Sequence, residues 1–81
     1  MVLKNAERLW LLELLEDVKP YLSEVDSVVE LTSRLIDSAD SIADFIGKMR
    51  NEHNKINGTT LSTDLRIYMN RILSSSRTHP P

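Results

Sequence analysis

Residues 21–56 read YLSEVDSVVELTSRLIDSADSIADFIGKMRNEHNKI, and this stretch decides the fold. Val25, Val28, Leu35, Ala39, Ile42, Ile46 and Met49 recur at steps of three, four and, once, seven. That is the period of a helix burying one stripe of its surface. The spacing predicts one long helix from about residue 23 to 54, close to 50 Å at about 1.5 Å per residue. Val29, Ile36 and Ala43 widen its apolar face, while Leu31 and Phe45 fall off to one side. Asp26, Glu30, Asp37, Asp40 and Asp44 form an acidic ridge opposite. Ala39, Ala43 and Gly47 make a row of small residues through which a second helix can approach closely.

Upstream, the pattern predicts a first helix over 4–18. Leu11, Leu14, Leu15 and Val18 share one face, and Trp10 sits at its edge. Leu9 and Leu12 point elsewhere, leaving only Glu13, Glu16 and Asp17 as a polar strip. A helix this apolar needs cover on more than one side. Pro20 interrupts the pattern by removing a donor and crowding the preceding turn. The phase nonetheless carries through Leu15, Val18, Leu22 and Val25, so a turn and a kink both fit. Ser23, with Asp26 three residues on, is the expected N-cap of the long helix.

Downstream, Asn57-Gly58-Thr59-Thr60 is a break, because glycine reaches the left-handed conformation that ends helices. A third helix is expected over 61–74, capped by Thr60 or Ser62, with Asp64 in its first turn and Leu61, Leu65, Tyr68, Met69 and Ile72 inward. Residues 76–81 read as a disordered tail on a single domain spanning 1–75. The expected fold is all-α, three helices in a short–long–short order, a helical hairpin or bundle with coiled-coil character. The first and third helices laid end to end along the second give a layer only two helices thick. Such a layer leaves broad apolar faces uncovered, so completion by dimerisation is expected.

The totals restrict the chemistry. An 81-residue chain without cysteine has no disulfide, thiol nucleophile or thiolate metal site. Residues 9–15 are apolar but are interrupted by Glu13 and lack the flanks of an export signal. No run reaches the roughly 20 apolar residues of a membrane span. A soluble, intracellular, cytoplasmic protein is therefore expected, and no membrane association, since the polar strip beside Trp10 is acidic. The net charge of −2 is unevenly placed. Residues 1–44 carry four bases against ten acids, a balance of −6, and residues 45–81 six bases against two acids, a balance of +4. Such polarity suits association with a like copy or an oppositely charged partner.

No Gly-rich phosphate loop or helical metal-ligand pair is present, so no catalytic residue, cofactor or metal is assigned. His53 is the one residue with a plausible reaction. An exposed histidine on a bundle can carry a phosphoryl group, Glu52 could orient its ring, and Asn57 follows it by four, as in some histidine phosphotransfer modules. A second alternative is a nucleic-acid-binding regulator, in which the Asn57–Thr60 turn and the basic last helix, with Arg66, Asn70 and Arg71 outward, make a helix-turn-helix-like unit. An acidic chain without interleaved aromatics disfavours it. The favoured expectation is a non-enzymatic protein-binding module, a regulator, inhibitor or assembly subunit, as a homodimer or an obligate heteromer subunit. Leu9, Trp10, Leu12, Ala39, Ala43 and Ile46 are its expected self-association residues. Asp37, Asp40, Asp44, Arg66 and Arg71 are expected to meet another protein.

Overall fold

A computed structural model describes the backbone of residues 2–78 and the side chains of residues 2–75. The described chain is all helical, with four helices rather than three: α1 (Asn5–Val18), α2 (Val25–Ser38), α3 (Ile42–Lys55) and α4 (Thr60–Thr78). The last runs four residues past its expected end at 74, and residues 79–81 of the expected tail lie outside the described residues.

The expected 23–54 helix breaks at Ala39-Asp40-Ser41, and local hydrogen bonding explains why. Ser41 is an N-cap whose hydroxyl accepts the Asp44 N–H at 3.0 Å. The Asp44 carboxylate in turn accepts the Asp40 N–H at 3.0 Å. Lys48 donates to the Ser38 carbonyl at 2.7 Å, closing the end of α2. Two helix ends are thus satisfied within seven residues, which offsets the lost turn. The sequence carries this signal as Ser41 followed three residues later by Asp44. The apolar rhythm hides it, because both half-helices turn the same side inward. Leu31 and Phe45, expected off to one side, are core residues here, and Phe45 is fully buried.

The break changes the architecture. A continuous helix would have spanned nearly 50 Å, whereas the longest dimension is 31 Å. The radius of gyration is 11.7 Å, close to the value expected of an ordinary globular chain this long. Each of the first three helices has 14 residues, so no long coiled-coil seam forms. The axis is α4 rather than the 21–56 segment: it packs against α1, α2 and α3. Tyr68, Leu65 and Ile72 of α4 are fully buried among Leu11 of α1, Val28 of α2 and Phe45 and Met49 of α3. The first helix lies mainly along α4, not along α2 as expected. The core closes within one chain, so the two-layer argument for a dimer no longer holds.

Two tertiary hydrogen bonds fix α4 in place. The Tyr68 hydroxyl donates to the Leu11 carbonyl at 2.7 Å, and its ring meets Phe45 edge to face at 6.3 Å. Asp64 is 1% exposed, and its carboxylate accepts the Ser23 N–H at 3.0 Å on each oxygen and the Glu24 N–H at 2.6 Å. Ser23 does not cap α2 as expected. The N-cap residue is Glu24, without a side-chain cap of its own, and the carboxylate at the helix entrance comes from 40 residues away. Asp64 also lies beyond the first turn of α4, whose cap is Thr59 rather than Thr60 or Ser62: its hydroxyl accepts the Ser62 N–H at 3.1 Å. Pro20 sits in a single 3-10 turn, Lys19–Tyr21, followed by an extended Leu22. The chain turns there rather than kinking, and this delivers Ser23 and Glu24 to Asp64.

One buried group is unsatisfied: the hydroxyl of Thr32, fully buried on α2, has no hydrogen-bond partner among the described residues. Thr32→Val removes that orphan at nearly constant volume, and the expected result is a stabilisation of about 1 kcal/mol in urea unfolding. Asp64→Ala strands two backbone donors, and the expected cost is about 3 kcal/mol. An unchanged urea midpoint for Asp64→Ala would show that the tertiary cap contributes nothing.

Candidate functional site

The expected self-association residues separate. Ala39 is fully buried in the core and cannot meet a second subunit. Trp10 and Ile46 are half-buried and pack against the core, while Ala43 is exposed on α3. Leu9 and Leu12 remain on the outer face of α1, 60% and 40% exposed. The other exposed large hydrophobics among the described residues are Val2 and Tyr21, so all four fall within the first 21 positions. On α1 the leucines belong to an exposed row of Asn5, Leu9, Leu12 and Glu16. Its steps of four, three and four place the row on one side of the helix.

The expected acidic ridge is dispersed by the helix break. Asp37 pairs with Arg8 of α1 at 3.0 Å. Asp44 caps α3 and pairs with Lys48 at 3.2 Å. The Asp40 N–H and the Lys48 ammonium hold its carboxyl below the usual aspartate value. At the basic end Arg71 is occupied by Asp17 of α1 at 3.1 Å, whereas Arg66 is exposed and has no ion-pair or hydrogen-bond partner among the described residues.

Two hollows mark the surface. One, about 230 Å³, lies between α2, α3 and α4 and is lined by Ser27, Glu30, Leu31, Arg34, Glu52, Ile56 and Leu61. The other, about 200 Å³, is lined by His53, Asn57, Gly58, Ser62, Thr63 and Arg66 at the α3–α4 turn. Both are smaller than the roughly 300–1,000 Å³ of typical small-molecule sites. His53 and Asn57, paired by spacing, do share the second hollow. Glu52 does not orient the ring: its carboxylate lies 3.6 Å from Lys55 and lines the first hollow.

No helix among the described residues is long and apolar enough to cross a membrane. Nor do three or more potential metal ligands converge there. In the interior, burial pushes the Tyr68 hydroxyl well above its ordinary value, because the phenolate would lose hydration. A raised folded-state value means that the unfolded chain releases this proton first. The contribution is therefore complete below about pH 10 and is lost progressively above it. Compared with protein-family models, curated proteins and solved structures, the chain matches none.

Urea unfolding between pH 8 and 11 tests the tyrosine. The wild type is expected to lose more stability across this range than Tyr68→Phe. Parallel curves would show that the phenol ionises freely in the fold.

Proposed function

We propose that the chain is a non-enzymatic protein-interaction module, acting as a regulator, inhibitor or assembly subunit, that pairs with a second copy of itself through the outer face of α1. The observation that carries this reading is the exposed row of Asn5, Leu9, Leu12 and Glu16. Its spacing is the same read in either direction. Two antiparallel copies related by a twofold axis set Leu9 of each against Leu12 of the other. The same register sets the Asn5 amide, a donor, against the Glu16 carboxylate, an acceptor. Glu16 uses Oε1 for Lys19 at 2.6 Å, so its second oxygen is available for that contact. Val2 and Tyr21, exposed at opposite ends of α1, come near one another in this arrangement and extend the apolar contact.

The expected dimer is weak. A 14-residue helix is about 21 Å long. One face of it buries less than a standard interface of about 800 Å² per partner. Dissociation on the order of micromolar concentrations follows, with the monomer folded at dilution because its core is closed.

Sedimentation velocity over a dilution series checks this. The wild type is expected to shift from dimer to monomer, and Leu9→Glu/Leu12→Glu to stay monomeric with its urea midpoint nearly unchanged. Asn5→Lys sets an ammonium opposite Glu16 and is expected to tighten the dimer a few-fold at low salt. A wild type that is monomeric at every concentration sinks the pairing.

A further inference from the structure

We infer that the hollow at the α3–α4 turn binds a phosphate group. Its lining combines a guanidinium, an imidazole, two hydroxyl-bearing residues, an amide and a glycine, namely Arg66, His53, Ser62, Thr63, Asn57 and Gly58. It contains no carboxylate, although the chain as a whole is acidic. The two acids next in sequence to lining residues are both engaged elsewhere. Glu52, beside His53, lies near Lys55 and lines the other hollow. Asp64, beside Thr63, is buried against the N–H groups of Ser23 and Glu24. Neither cation of the hollow is neutralised: His53 and Arg66 have no ion-pair or hydrogen-bond partner among the described residues.

The backbone adds donors to this cationic wall. Thr59 accepts the Ser62 N–H, while the Thr60 and Leu61 N–H groups at the start of α4 have no partner within the helix. Gly58 holds φ at +88°, and nothing lies within 4 Å of where its side chain would be, so the backbone is open to approach. A guanidinium fork with backbone N–H groups suits the oxygens of a phosphate. A volume of about 200 Å³ admits one such group with water.

The ligand is a single terminal phosphate, free or carried on a side chain, rather than a nucleic-acid backbone. A backbone needs a line of available cations. Lys48, Lys55 and Arg71, which could extend such a line, are already paired with Asp44, Glu52 and Asp17.

The test is titration of the ¹⁵N-labelled chain with inorganic phosphate at constant ionic strength, with chloride as the control. Saturable shifts are expected at the Gly58, Thr60 and Leu61 amides and the His53 ring. Arg66→Gln and His53→Gln, both outside the core, are each expected to weaken binding about tenfold while leaving the remaining spectrum in place. A phosphoserine peptide that saturates at lower concentration than phosphate identifies a side-chain source. Equal or weaker binding of the peptide identifies the free ion. Shifts that chloride reproduces, or that survive Arg66→Gln unchanged, overturn the site. Tighter binding of duplex DNA, with shifts spreading to Lys48 and Lys55, overturns it in favour of a nucleic-acid surface.

Discussion

The Asp64 carboxylate joins the two ends of this fold. A helix entrance presents N–H groups that no residue of the helix can accept, and α2 has no side-chain cap of its own. Asp64 meets the Ser23 and Glu24 donors from α4, 40 residues later in the chain. The charge that makes it a good acceptor also favours its position at the positive end of α2. The Pro20 turn, the start of α2 and the orientation of α4 are therefore mutually dependent. If α4 rotates, the carboxylate leaves α2. If the turn opens, a buried charge loses its donors.

Tyr68 supplies the matching constraint on the other side of α4. Its hydroxyl reaches the Leu11 carbonyl of α1 while its ring rests edge-on against Phe45 of α3. One side chain thereby holds two other helices at set distances. Surface ion pairs repeat the connections, Arg71 with Asp17 and Arg8 with Asp37, and each contributes little on its own in water. With the core closed from within, association is left to the surface. The outer face of α1 and the α3–α4 turn lie on different elements, one apolar and self-complementary, the other cationic and polar. A second copy and a phosphate group would then be engaged by separate parts of the chain.

Much was legible in the residues themselves. The extent of α1, the turn at Asn57–Thr60 and the inward face of α4 all follow from local spacing and glycine chemistry. Leu9 and Leu12 were legible as an outward apolar pair, since the inward face of α1 is already complete without them. The break at Ala39–Ser41 was present as Ser41 and Asp44 in capping register, but a regular apolar rhythm masked it. Asp64 was legible only as an acid near a helix start. Nothing local indicates that its carboxylate belongs to a different helix.

The sequence by itself determined that this chain is helical, where α1 and α4 lie, and which residues avoid water, because those properties depend on neighbours within about a turn. Tertiary structure alone decided that the 21–56 segment folds back on itself, that α4 is the axis, and which charges remain unpaired at the surface. The physical reason is distance along the chain. A hydrogen bond from Ser23 to Asp64, or from Tyr68 to Leu11, joins residues whose separation leaves no periodic trace.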